Sequence, residues 1–189
     1  MKLVRANLLG SCSRLLTLIL LTAGLFGCDY ASKSAAKATL EGMAAMPVAP
    51  AALGGAVELR YVENRDIAFN TFENLGLPQS PAVLATLAAV AIVAIVASLI
   101  LARRRASAPV DWMTQAGVVL VVGGALGNLV DRIARGYVVD FIHVKGWPVF
   151  NVADIAVVVG VGVMILARSR EKRDEAPPSL PPPPIAGAG

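Results

Sequence analysis

The sequence predicts an all-α integral membrane protein: four transmembrane helices, with a small extracytoplasmic β-structure formed by the two outer loops. Its 189 residues are 56% hydrophobic and only 16% charged, whereas soluble domains are about half apolar and about a quarter charged. The charged residues are also clustered, so that long uncharged runs lie between them. These runs place most of the chain in a bilayer and argue against a soluble domain.

Four runs have the length and composition of a membrane span, which needs about 20 mostly apolar residues. They cover about residues 15–33, 82–102, 113–130 and 149–167. Together with outer loops at 34–81 and 131–148 they form one predicted membrane domain, residues 1–170. The proline-rich segment 171–189 cannot bury a core and is predicted to be a disordered cytoplasmic tail.

Both outer loops contain strand-like patterns. The first loop begins with an alanine-rich piece that suggests a short helix, and then alternates through "AVELRYVEN" with the period of two that is typical of a strand. The second loop contains "GYVVDFIHV", which reads in the same way. A small sheet resting on the outer membrane face accounts for both patterns.

The orientation follows from the positions of lysine and arginine. These residues precede the first span and follow the second and fourth spans. Cytoplasmic segments carry such an excess of positive charge, so both termini are predicted to be cytoplasmic. The unusual polar residues then all face the outer side: Asp29, Lys33, Asn64, Asn128, Asp131, Asp140, Asn151 and Asp154.

Two aspartates are the sharpest candidates for chemistry, because ionisable groups at membrane depth are costly. Asp154 lies one turn into the fourth span, where Asn151 as N-cap and Asp154 three residues later could instead serve the helix amides. Asp140 lies between apolar neighbours, and as a strand residue it could simply face water. Two carboxylates held together in a dry cavity would share a proton, activate a water and protonate a leaving amine.

Asn128, Asp131 and Arg132 are spaced to lie on one helix face. The alternative for these three is a capped, salt-bridged helix end. The glycines of "VVGGALGN" indicate close helix packing rather than a phosphate loop, because no GxxxxGK[ST] pattern is present. With one histidine and no CxxC, a metal site is not expected, and neither is a cofactor.

Several blocks resemble the signal peptidase II family, the bacterial lipoprotein signal peptidases. In chain order they are "DYASK" at 29–33, "ENRDIAFN" at 63–70, "GGALGNLVDRIARGYVVDFI" at 123–142 and "FNVAD" at 150–154. The four-span layout agrees as well, and the resemblance extends over about residues 10–168. It implies an integral aspartyl endopeptidase of the bacterial cytoplasmic (inner) membrane, with its site near the outer face. Such an enzyme removes signal peptides from diacylglyceryl-modified prolipoproteins by cutting before the lipidated cysteine.

The resemblance also implies roles for individual residues. Asp140 and Asp154 become the catalytic pair, without a metal or a cofactor. The residues expected to support this pair or to hold substrate are Asn64, Asn128, Arg132, Asn151, Asp131, Asp29 and Lys33. The expected partners are diacylglyceryl-prolipoproteins and membrane lipids, with no nucleic acid, and the chain is expected to be monomeric.

Three rival interpretations remain at the level of sequence. Asp66 stands where the family usually has glycine, so a catalytically impaired paralogue that binds lipoproteins is one alternative. A small transporter subunit is another, although the uniformly apolar second span disfavours it. The third is that "TAGLFGCDYASK", residues 22–33, is a lipoprotein cleavage region with Cys28 lipidated. We favour an uncut span, since Asp29 and Lys33 need the helix that positions them.

Overall fold

Long helices and a small antiparallel sheet make up the computed structural model, which describes residues 2–48, 56–65, 80–105 and 111–174. The helices are α1 (Lys2–Leu40), α2 (Pro81–Arg105), α3 (Trp112–Arg135) and α4 (Val152–Asp174), and the strands are β1 (Met46–Pro47), β2 (Val57–Asn64) and β3 (Val138–Val144). The mostly helical fold with a small sheet is therefore confirmed. The proposed tail lies outside the described residues, apart from its first few positions, which continue α4.

Helix α1 is longer than the first predicted span. It runs without interruption through residue 33 to Leu40, where Gly42 follows with a φ of +77°. The alanine-rich piece is thus not a separate short helix. Alanine and lysine favour helix, and residues 34–41 contain no glycine or proline that would end it. The helix ends at Leu40, so the first loop begins at residue 41 rather than 34, and Lys33 lies inside the helix.

Three of the described helical segments are long and apolar enough to cross a membrane: Leu15–Leu40, Trp112–Arg135 and Val152–Glu171. The corresponding apolar stretch described in α2, Ala82–Ala97, is shorter. Asp111 caps the N-terminus of α3, where its carboxylate accepts a hydrogen bond from the amide of Met113 (3.0 Å). Gly136, with a φ of +80°, caps the C-terminus. The first, third and fourth predicted spans therefore correspond to span-length helices.

The two strand-like patterns pair as expected. Strand β2 lies between β1 and β3, and both pairings are antiparallel. Asn64 at the end of β2 lies opposite Val138, and Val62 lies opposite Asp140. Between Leu59 and Val62 the register shifts, so that two residues of β2 face the single residue Phe141. This is a β-bulge.

One face of β3 packs on the C-terminal end of α1. Tyr137, Val139 and Phe141 form a buried cluster with Ala36 and Leu40. Because side chains alternate along a strand, Val138 and Asp140 point to the opposite face. That second face forms part of a cleft between the sheet and the helices.

Helices α3 and α4 pack closely through glycine, as the sequence predicts. A Cβ atom placed on Gly160 would lie 2.7 Å from the carbonyl oxygen of Gly117, and one placed on Gly124 would collide with the carbonyl oxygen of Ala153. Small residues allow this approach, which van der Waals packing stabilises in a bilayer. The contact sets where the first turn of α4 lies relative to α3.

Gly160→Ala should lower the free energy of unfolding by about 1–3 kcal/mol, because the added methyl group must displace helix backbone. Gly162→Ala is the matched control, since a Cβ there meets nothing within 4 Å. It should change stability by less than about 1 kcal/mol. Thermal unfolding in detergent micelles measures both, and equal midpoints for the two variants would contradict the packing.

Candidate active site

Asp154 caps its own helix and also faces the cleft. Its amide donates to Oδ1 of Asn151 (3.0 Å), and the amide of Asn151 donates to Oδ2 of Asp154 (3.2 Å). This reciprocal pair is a capping box, so the capping alternative is confirmed. The remaining oxygen, Oδ1 of Asp154, accepts a hydrogen bond from Nδ2 of Asn128 (2.8 Å). The capping box therefore fixes the position of the Asp154 carboxylate and leaves its Oδ1 atom to accept from Asn128.

Asp140 is buried, with only 2% of its surface exposed. The alternative that it simply faces water is wrong, because the second face of β3 is covered by the first turn of α4 and the end of β2. Its Oδ1 accepts from Nδ2 of Asn151 (2.6 Å) and its Oδ2 accepts from Nδ2 of Asn64 (2.8 Å). Two of the three predicted supporting asparagines, Asn64 and Asn151, therefore contact this carboxyl group directly.

Two side-chain amides connect the aspartates. Nδ2 of Asn151, which donates to Asp140, also donates to Oδ1 of Asn128 (3.2 Å). Nδ2 of Asn128 in turn donates to Asp154. The pKa of Asp140 is raised from its ordinary value of 3.8 to about 7, chiefly by burial; the charge of Asp154 contributes to the rise, and the hydrogen bonds from Asn64 and Asn151 oppose it. The two carboxyl groups thus interact electrostatically within one hydrogen-bonded cluster.

A fully buried lysine lies behind this cluster. Nζ of Lys33 is 2.7 Å from Oδ2 of Asp29 and 3.1 Å from Oδ2 of Asp131, and it donates to Oδ1 of Asn128 (2.8 Å). Because an ammonium group only donates, it holds the oxygen of Asn128 toward itself. The nitrogen of Asn128 is then directed at Asp154.

The two aspartates that flank Lys33 reach other elements of the fold. Oδ1 of Asp29 accepts from the amide of Ala153 (2.9 Å) in the first turn of α4. Asp131 forms an ion pair with Arg135 (2.7 Å), and its second oxygen accepts from the amide of Val139 (3.3 Å). For Asp131, the salt-bridged helix end is therefore the correct interpretation. Asp131 does not line the cleft; Asn128 and Arg132 do.

The cleft has a volume of about 1160 Å³. Its polar end is lined by Asn64, Asn128, Arg132, Asp140 and Asp154. Its apolar walls come from α2, α3 and α4, and include Ile92, Ile95, Val121 and Val158. Within the part of the chain that the structure describes, no group of His, Cys, Asp and Glu could hold a metal ion.

The sequence analysis did not identify three residues that line the cleft. Arg60 of β2 and the aromatic residues Trp147 and Phe150 also line the cleft. The alternation of β2 could have identified Arg60, which shares a strand face with Val62 and Asn64. Asp66, the departure from the family pattern, lies outside the described residues.

The fold and the site define a multi-pass membrane protein in which two interacting carboxyl groups lie at the polar end of an apolar cleft. A family model described as Signal peptidase (SPase) II matches residues 21–169. The chain belongs to the signal peptidase II family, whose members are peptidases.

Curated relatives agree with this assignment. A lipoprotein signal peptidase of Moorella thermoacetica is 34% identical over 77% of this chain and 88% of its own length. The corresponding protein of Syntrophotalea carbinolica is 34% identical over 82% of this chain and 91% of its own. That of Azoarcus sp. is 33% identical over 86% and 89%.

A solved structure shares the fold. It is described as "Bacterial membrane enzyme structure by the in meso method at 2.3 A resolution" and superposes with a TM-score of 0.68. It is 24% identical, and the match covers 87% of this chain and 94% of that chain.

Lys33→Met should cost about 3–5 kcal/mol of unfolding free energy, because it leaves the buried carboxylates of Asp29 and Asp131 without their shared cation. Lys37→Met removes an ammonium group one turn further along α1, where the side chain is 38% exposed. That control should have a far smaller effect. Thermal unfolding in micelles compares the two, and a loss no greater for Lys33 than for Lys37 would refute the structural role.

The unfolding free energy of the Asp140→Asn variant, relative to that of wild type, should increase as pH rises from about 4 to 7. The raised pKa means that the folded state retains a proton which the unfolded state releases near pH 4, so wild type loses stability across this window. The difference should grow by up to about 4 kcal/mol and then level off. Unfolding midpoints measured at several pH values test this, and a pH-independent difference would contradict it.

Proposed function

We propose that this protein is an aspartyl endopeptidase that removes signal peptides from diacylglyceryl-modified prolipoproteins by cutting before the lipidated cysteine. Membership of the signal peptidase II family supports the reaction and the substrate class. The observation that carries the catalytic type is the hydrogen-bonded path from Asp140 through Asn151 and Asn128 to Asp154, at the polar end of the cleft.

The proposed chemistry uses one proton shared by two carboxyl groups. Because burial raises the pKa of Asp140 to about 7, the pair retains a proton near neutrality, and the protonated carboxyl group polarises the scissile carbonyl. The ionised carboxyl group of the pair takes a proton from water, and the water oxygen bonds to the carbonyl carbon. When the tetrahedral intermediate collapses, the carbon–nitrogen bond breaks and the departing cysteine amine receives a proton from the pair. The pair titrates as a unit.

The surrounding polar residues have supporting roles. Asn64 and Asn151 hold Asp140, and Asn128 holds Asp154 with its own orientation set by Lys33. Arg132 lies in the cleft lining, where its guanidinium can bind a backbone carbonyl of the substrate. Asp29 and Asp131 bind Lys33, which orients Asn128, and so support the carboxyl pair indirectly.

The proposed setting is the bacterial cytoplasmic (inner) membrane. We propose four spans, with α2 as the second, both termini cytoplasmic and the site near the outer face. The basic residues at the end of α2 and near the end of α4 support this orientation. Because the cleft walls are apolar, the lipidated substrate can enter sideways from the bilayer. The enzyme is proposed to act as a monomer surrounded by lipid.

Asp140→Asn and Asp154→Asn should each lower kcat/KM on a diacylglyceryl-modified peptide by at least about a hundredfold, because each removes a carboxyl group from the proton-transfer pair. Asp111→Asn is the matched control: it makes the same exchange at the exposed cap of α3, where asparagine caps as well as aspartate. Release of the shortened peptide in micelles is the measurement. Near-normal cleavage by either active-site variant would refute the pair.

A further inference from the structure

Arg60 lines the cleft but takes no part in the hydrogen-bonded cluster around the carboxyl pair. Its Nε atom is buried, and in the described part of the chain it has no hydrogen-bond partner. Three other arginines have identified partners: Arg65 pairs with Glu63 (2.7 Å), Arg135 pairs with Asp131 (2.7 Å), and Arg132, also in the cleft lining, donates to the backbone oxygen of Asn128 (3.3 Å). A buried N–H group without an acceptor is costly, and an acceptor supplied by a ligand would offset that cost.

Arg60 lies at the β-bulge of β2 and lines the cleft. Arg60 and Tyr61 are the two residues that face Phe141 across the register shift. The hydroxyl of Tyr61 donates to that of Tyr137 (3.2 Å), on the face that packs against α1. Arg60 instead lines the cleft together with Val62. Bulges commonly redirect a side chain beside an active site.

The polarity of the cleft indicates which part of a substrate would meet Arg60; this step rests on the proposed function. The apolar walls of α2, α3 and α4 suit the apolar signal peptide, so the residues after the cleaved bond extend along the sheet. Val62 lies opposite Asp140, and Arg60 is two residues back along β2, about 7 Å away at about 3.3 Å per residue. An extended peptide covers this distance in about two residues.

We propose that Arg60 is a specificity-determining residue that binds a carboxylate side chain within the first few residues after the lipidated cysteine. The planar guanidinium fork matches a carboxylate better than any neutral side chain. The protein therefore prefers prolipoproteins whose mature segment begins with an acidic residue close to the cysteine. The phosphate of an anionic lipid headgroup offers similar acceptor chemistry, and the experiment separates the two.

The test uses diacylglyceryl-modified peptides in which a single aspartate is moved through the first positions after the cysteine, each paired with its asparagine counterpart. At the best position, the full-length wild-type protein should cleave the aspartate peptide with kcat/KM about threefold or more above the asparagine peptide. Arg60→Gln should reduce this ratio to about one. Lys145→Gln is the control, because it removes an exposed positive charge outside the cleft lining and should preserve both the ratio and the rate.

Equal cleavage of the paired peptides by wild type, or an unchanged ratio in Arg60→Gln, would overturn this inference while leaving the proposed function standing. The assay is repeated with and without phosphatidylglycerol in the micelles. If Arg60→Gln slows every peptide only when that lipid is present, and the ratio is unaffected, Arg60 binds a headgroup phosphate and the inference is wrong. A wild-type protein that cleaves none of the lipidated peptides would overturn both proposals.

Discussion

The ammonium group of Lys33 is the constraint on which the rest of the structure depends. The side chain is fully buried, and a buried cation persists only when oxygens surround it. Asp29 comes from the same helix, whereas Asp131 and Asn128 come from α3. Each aspartate also accepts a backbone amide, from Ala153 in α4 and Val139 in β3 respectively. One buried charge therefore holds three helices and strand β3 in a single arrangement.

This arrangement determines the direction of the hydrogen bonds in the site. Lys33 fixes the oxygen of Asn128, so the Asn128 nitrogen must donate to Asp154. The capping box fixes Asp154 against Asn151, and Asn151 then donates to Asp140. Each amide has only one sensible orientation once the lysine is in place. A buried ion pair is weak evidence for stability, but here it orients the groups that would perform the chemistry, as a preorganised site requires.

Periodicity predicted the strands and most of the helix positions, because burial on one face leaves a repeating pattern along the chain. It predicted neither the extension of α1 to Leu40 nor the burial of Asp140. Alternation shows which residues share a face with Asp140, but not whether another element covers that face. The bond from Lys33 to Asn128 spans 95 positions, which no local pattern reports. Resemblance to the family grouped these residues, and the structure supplied the contacts between them.

The two carboxyl groups come from different kinds of element, a strand and a helix, so the site depends on how these two elements are held together. Asp140 is held by the hydrogen-bond register of β3 with β2, and Asp154 by the first turn of α4. The backbone of Phe150, just before α4, is hydrogen-bonded to Phe141 and Ile142 of β3, which already holds the helix end beside the strand. Asn151 adds a side-chain connection, because it caps α4 with its oxygen and binds Asp140 with its nitrogen. The helix cap and the position of the Asp140 carboxyl group therefore depend on the same side chain.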